Sequence, residues 1–221
     1  MKLYSGPLSL FTAKVRVALD EKGVAYEKIE VGWSLTHRYE PHHPDVVALN
    51  PKAQVPVLVD GDVVVYDSTQ IFEYLEERCP EPPLYPSGLA ERARCRRLEA
   101  AADEILFPHV WSLIDGGFYP TPGNDVAAER KRTACSELAR LQLELDEQLA
   151  GREYLCDRFS VADIGSFIML STAATLGAPP AGAHTNLQAW IARVAARPAV
   201  KREIEGMQAY VRSLRPARAS A

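Results

Sequence analysis

The segment QVPVLVDGDVVVYDS, residues 54–68, constrains the fold more than any other stretch of the chain. Two runs of β-branched residues flank an Asp60-Gly61 pair, a strong hairpin signal because the centre of a tight turn needs φ > 0. The first run opens with Pro56. Proline has no N–H to give a sheet ladder, so it is confined to edges, strand starts and bulges, and Val55 before it is held extended. That is the setting in which cis X-Pro bonds occur. A cis bond here would free the Val55 N–H and C=O to pair with an extended peptide laid alongside, as in strand addition. The second run ends in Asp67-Ser68, at a helix start. A helix N-terminus attracts a carboxylate through its unpaired N–H groups and dipole, and Asp67 can accept an amine. Together these features describe a receptor for a short peptide-like ligand with an α-amino-acid head and an extended tail.

The flanking sequence supplies the rest of a small domain. KLYS and AYEKIEV read as strands around a helix, FTAKVRVALDEKG, with Gly23 placed as its C-cap. HHPDVVALNP reads as a proline-broken connection with one helical turn, and STQIFEYLEERC as a helix. A strand-helix-strand unit followed by a hairpin gives a small mixed sheet with helices on its faces. Residues 79–88, CPEPPLYPSG, hold four prolines and read as a semi-rigid linker. Beyond Leu89 nothing reads as a strand. The first long helix contains Pro108, where a kink or break is expected. A later one puts Leu138, Leu141, Leu145 and Leu149 on one face, ending at Gly151. FSVADIGSFIMLSTAATLG is apolar enough to be the buried central helix, opened by a Ser160/Asp163 capping box and a Phe159/Ile164 staple. Two more helices follow. The expected organisation is an α/β domain at 1–78, a linker at 79–88 and an all-helical domain at 89–221.

Composition narrows the function. A net charge of −4 lacks the basic face that phosphate binding needs, which argues against nucleic acid. Cys79, Cys95, Cys135 and Cys156 are widely spaced, form no metal pattern, and fit free thiols in a reducing compartment. The N-terminus has no long apolar run and no segment approaches a membrane span, so a cytoplasmic protein with no metal and no membrane partner is expected.

The order of elements, LNPKAQVPVLVDG at 49–61, Asp67-Ser68, the linker, FSVADIGSF and the helical second half resemble the cytosolic glutathione transferases over essentially the whole chain. The resemblance implies a thioredoxin-like N-terminal domain with a four-stranded mixed sheet. It implies glutathione as co-substrate, with Val55 before cis-Pro56 pairing the cysteinyl unit and Asp67 and Ser68 holding the γ-glutamyl head. Gln54, His42 and Lys52 would lie near the ligand's backbone or glycine carboxylate.

Glutathione's thiol should ionise near 8.5 like free cysteine, yet the thiolate is the nucleophile. A hydroxyl donating to sulfur near a helix N-terminus favours the anion. Tyr4, Ser5, Ser9 and Thr12 lie near the first strand-helix junction. In serine-type members of the family the spacing to a strand tyrosine and a helix arginine falls, here, on Tyr4, Ser9 and Arg16. Ser9 is therefore the catalytic candidate, with Tyr4, Thr12, a backbone N–H or a plain capping role for Ser9 as alternatives. The chain is closest in motif to the zeta type but has Ser9-Leu10-Phe11 in place of that group's Ser-Ser-Cys cluster. A glutathione-dependent isomerase or dehalogenase and a non-catalytic regulatory or protein-binding module are the other readings. Leu10, Phe11, Phe107, Trp111 and Tyr119 are candidate walls for a small hydrophobic electrophile. The resemblance also implies a homodimer, and the helix from Leu89 carries apolar residues and an arginine cluster (Arg92, Arg94, Arg96, Arg97) beside Glu91, Glu99 and Asp103 that could complement itself across a two-fold axis.

Overall fold

The computed structural model describes residues 1–40, 42–118 and 125–214. Four strands form one mixed sheet in the order β2-β1-β3-β4: β1 Lys2–Ser5, β2 Glu27–Glu30, β3 Val57–Asp60 and β4 Val63–Tyr66. β2 runs parallel to β1, with Tyr4 opposite Ile29, because the helix α1 (Leu10–Glu21) carries the chain back between them. β3 is antiparallel to β1, with Tyr4 opposite Val57, and β4 is antiparallel to β3. The hairpin forms, but its two loop residues are Gly61 and Asp62, one place later than the Asp60-Gly61 reading. Only Gly61 takes a positive φ, which suits a turn with glycine at the first central position. Asp60 instead closes the ladder, and its carboxylate accepts hydrogen bonds from Tyr74 (2.8 Å) and Arg78 (3.2 Å) of α3, Ser68–Arg78. A helix α2 (Pro44–Leu49) lies between β2 and β3. On one side of the sheet Tyr4, Val31, Val46 and Val57 form a buried cluster.

The helical half contains α4 (Leu89–Ala101), a π-helical turn (Ala102–Leu106), α5 (Phe107–Phe118), α6 (Asp125–Gln148), α7 (Val161–Thr175), α8 (Thr185–Ala195) and α9 (Pro198–Ser213). Pro108 does not end the first long helix. The π turn resets the hydrogen-bond ladder just before it, with Phe107 N–H donating to the Ala102 carbonyl, so the register already differs where the proline's missing N–H would have been needed. The leucine face of α6 is buried, and α7 is buried over almost its whole length.

By packing, the chain divides into two compact units, residues 1–82 together with the segment from Arg197, and residues 83–196. The sequence reading grouped α9 with the helical half. In the structure α9 packs on α1, through Arg197–Glu21, Arg202–Asp20 and Arg16–Glu203 ion pairs.

Each unit contains a buried ion whose hydrogen bonds are filled from distant segments. In the first, the Lys22 ammonium donates to Glu76 (2.8 Å) and to the carbonyls of Cys79 (2.8 Å) and Pro82 (3.0 Å), so it ties the end of α1 to the end of α3 and to the chain leaving it. In the second, the expected capping box forms at the start of α7. Asp163 does more than cap. Its carboxylate accepts from the Ser160 N–H and O–H (both 3.0 Å), the Leu155 N–H (2.9 Å) and the Trp190 indole N–H (2.7 Å). Burial raises the pKa of this carboxyl, and the four donors oppose that rise.

Lys22→Met removes the buried cation that pairs with Glu76 and binds the Cys79 and Pro82 carbonyls, so it is expected to lower the unfolding free energy by roughly 3–5 kcal/mol, whereas Lys22→Met/Glu76→Leu should recover part of that loss. Urea denaturation measures both. A single-mutant loss below about 1 kcal/mol would place the pair with weak, water-screened surface pairs.

Candidate functional site

The turn between β1 and α1 sorts the four hydroxyls. Tyr4 is buried and donates to the Asp45 carboxylate at 2.9 Å, with His43 against its ring edge. Burial, reinforced by Asp45, holds the phenol above its ordinary pKa, and its proton is already committed. Ser5 is buried and accepts from the Arg16 guanidinium at 2.6 Å. Thr12 is wholly buried. Ser9 alone of the four is only half-buried.

Ser9 is also the N-cap of α1. Its Oγ accepts the Thr12 N–H at 3.2 Å and its carbonyl accepts the Ala13 N–H at 2.9 Å. Capping uses a lone pair and leaves the hydroxyl proton for donation, so the capping role and a role toward an anion are compatible at one oxygen.

The second part of the site is the approach to β3. The Val55–Pro56 bond is cis, and Val55 packs on the buried cluster around Tyr4. The loop before it is organised by Asn50, a buried residue that the sequence reading did not single out. Its amide donates to the Gln54 carbonyl (2.7 Å), its Oδ1 accepts the Lys52 N–H (3.0 Å), and its carbonyl accepts the Ala53 N–H (2.8 Å). The Asn50-Pro51 dipeptide, a turn signal, was the available clue. The side chain of Gln54 is exposed.

At the other end of the hairpin Asp67 is the N-cap of α3, with φ of +68° and no side-chain capping bond. A non-glycine residue in that conformation is strained, and such residues cluster at ligand sites. Its carboxylate takes the Lys52 ammonium at 2.7 and 2.9 Å. Ser68, the first residue of α3, is buried. The fold thus brings Lys52 to Asp67, 15 positions away in the sequence. The His42 Nδ1 lies 3.0 Å from the Glu40 carboxylate.

The candidate electrophile walls fare differently. Leu10 is 4 % exposed and belongs to the core, because it shares the inward face of α1 with Ala13 and Val17 at helical spacing. Phe11 is half-buried with the Lys14 ammonium 5.6 Å from its ring centre. Phe107 and Trp111 form a tilted ring pair at 6.1 Å in the helical unit, and Trp111 is 39 % exposed. Tyr119 lies outside the described residues.

Family models now bear on this geometry. Residues 3–83 match the glutathione S-transferase N-terminal domain and residues 106–198 the glutathione S-transferase C-terminal domain. A solved glutathione S-transferase from Rhodospirillum rubrum F11 is 30% identical, with a TM-score of 0.82 over 98% of this chain and 96% of that one. The chain belongs to the glutathione S-transferase family. Two curated relatives carry different names. A stringent starvation protein A homolog of Coxiella burnetii is 36% identical over 166 residues, 74% of this chain and 71% of that protein. Glutathione S-transferase Z1 of Arabidopsis thaliana is 45% identical over 93 residues, 42% of this chain and 41% of that protein. No described helix of this glutathione S-transferase family member is long and apolar enough to cross a membrane.

Because Ser9 caps α1, Ser9→Ala is expected to cost about 1 kcal/mol of stability, within a range of roughly 0.5–2. Ser9→Asp, which keeps a capping oxygen, should recover most of it in the same denaturation experiment. Equal stability of wild type and Ser9→Ala would mean that the cap contributes nothing.

Proposed function

We propose that this family member is a serine-type glutathione transferase that activates the glutathione thiol for attack on a small hydrophobic electrophile. The observation that carries the reading is the state of the four hydroxyls: three are buried, two of these held by Asp45 and Arg16, while Ser9 stays half-buried at a helix N-terminus with a proton to give. A thiolate placed there gains the hydroxyl and the positive end of α1. Glutathione would lie along the Val55–Pro56 edge, with Asp67 and Ser68 on its γ-glutamyl head and Gln54, Lys52 and His42 toward its tail. An ammonium already rests on Asp67 in the form of Lys52, the kind of cation the γ-glutamyl amine supplies. Phe11, Phe107, Trp111 and Tyr119 are the remaining proposed contacts for the electrophile. The four free thiols agree with a cytoplasmic site of action.

Two observations favour other readings. The Coxiella relative bears a name that is not a transferase's, which suits a non-catalytic regulatory or protein-binding role. The Arabidopsis relative is a Z-type transferase, which suits isomerase or dehalogenase chemistry. Retention on immobilised glutathione separates the first from an enzyme. A panel of an aryl halide, an organic peroxide, a haloacid and a maleyl compound separates the chemistries.

The two halves of the site should fail differently. Ser9→Asp should raise the pKa of the bound thiol and lower kcat, since each unit corresponds to about 1.4 kcal/mol of thiolate stabilisation. Asp67→Ala and Ser68→Ala remove contacts made equally in ground and transition states, so KM should rise, roughly tenfold or more for the charged contact, with kcat little changed. Thiolate absorbance and calorimetry read the two effects. An unchanged thiol pKa in Ser9→Asp, or wild-type affinity in both head-group variants, would overturn the assignment concerned.

We also propose a homodimer. Leu89, Ile105 and Trp111 are exposed apolar residues along α4, the π turn and α5. The charged cluster contributes less than its sequence suggested, because Arg92 and Arg96 stack on Tyr85 and Arg94 donates to the Leu155 carbonyl. Asp103, on the π turn, is the proposed reach toward a partner's γ-glutamyl amine. Light scattering at micromolar concentration should give twice the 24.4 kDa chain mass, and a single-chain mass insensitive to salt would reject the dimer.

A further inference from the structure

The three ion pairs that hold α9 to α1 are not equivalent. Arg197–Glu21 and Arg202–Asp20 are the more exposed two. Arg16–Glu203 is the most enclosed of the three, and its guanidinium does not end there. Nε and Nη2 donate side by side to the two Glu203 oxygens at 2.8 and 2.5 Å, while Nη1 donates to Ser5 Oγ at 2.6 Å and to the Gly6 carbonyl at 3.1 Å. A guanidinium is a rigid planar fork, so clamping one edge on a carboxylate fixes the direction of the remaining nitrogen.

That direction matters because of what the Gly6 carbonyl also holds. It accepts the Ser9 N–H at 3.3 Å, a long contact that closes the turn from Gly6 to Ser9. On its other side Gly6 is packed by Tyr39, whose hydroxyl would lie 2.6 Å from any Cβ placed there. The turn is therefore gripped from two directions, and one grip reaches through Arg16 to a carboxylate on α9. Little apolar burial supports α9 itself: only Ala199 and Val200 of that helix are buried.

We propose that Glu203 is a positioning residue for Ser9, acting through Arg16 and the Gly6 carbonyl, so that docking of the last helix sets the geometry of the reactive hydroxyl. The catalytic part of this inference rests on the proposed transferase function; the mechanical part does not. Loss of the Glu203 carboxylate frees the guanidinium to rotate, releases Gly6, and lets the Ser9 oxygen wander from the sulfur it would serve. Glu21 offers an internal comparison, since it also ties α9 to α1 but touches no part of the turn.

The test compares Glu203→Gln, Arg16→Lys and Glu21→Gln in the full chain. Arg16→Lys keeps a cation for Glu203 and cannot span to Gly6, so it reports on the relay without undocking α9. In the ligand-free protein, amide hydrogen exchange at Ser9 should speed up on the order of tenfold in Glu203→Gln and Arg16→Lys and stay within about twofold of wild type in Glu21→Gln. With saturating glutathione, the thiolate titration should move to higher pH in the first two, with kcat down on the order of tenfold and KM nearly constant. Ser9 exchange within about twofold of wild type in both relay variants, or the same acceleration in Glu21→Gln, would overturn the inference. Faster exchange with an unmoved thiolate titration would overturn its catalytic part. A wild-type protein that forms no glutathione thiolate would overturn the transferase reading instead, and the relay would then stand or fall on Ser9 exchange.

Discussion

A charge taken out of water must find its hydrogen bonds inside the protein, and this chain meets that demand with groups far apart in sequence. Lys22 draws on residues 76, 79 and 82, and Asp163 on residues 155, 160 and 190. Arg16 draws on residues 5, 6 and 203. Each set works only if several elements arrive together, so each ion specifies an arrangement as well as stabilising one. Removing a member of such a set breaks hydrogen bonds that water does not replace, so these ions are felt more through their loss than through their presence.

The same demand shapes the candidate site. Spacing to Tyr4 and Arg16 already made Ser9 the candidate among the hydroxyls at the β1–α1 junction, and the structure shows how each of them is held. Tyr4 donates its proton to Asp45, Ser5 accepts from Arg16 and Thr12 is buried, so Ser9 is the half-buried hydroxyl of the four. Around the peptide edge a similar selection takes place. Asn50 uses its side-chain amide and carbonyl oxygen on its own loop, and the conformation of Asp67 turns its carboxylate toward Lys52 and away from the helix it begins.

Membership of the glutathione S-transferase family explains the architecture without deciding the chemistry. Relatives are named as a stringent starvation protein A homolog and as a glutathione S-transferase, and one fold can host unrelated functions.

Much of this was present in the sequence alone. Proline and glycine punctuation, β-branched alternation and helical apolar spacing are local signals, and they determined four strands, the hairpin and the buried α7 with its cap. Local signals do not say which partner a side chain meets. The hairpin's turn shifted by one residue because Asp60 is held by Tyr74 and Arg78, residues of the following helix. Pro108 was absorbed by a π turn, a ladder rearrangement that no single residue announces. Leu10 was taken by the core, and α9 left the helical half because its arginines and Glu203 meet carboxylates and a guanidinium on α1. These outcomes were decided by tertiary structure, since the energy of a buried charge or hydrogen bond depends on what surrounds it, and those surroundings come from residues up to 187 positions away.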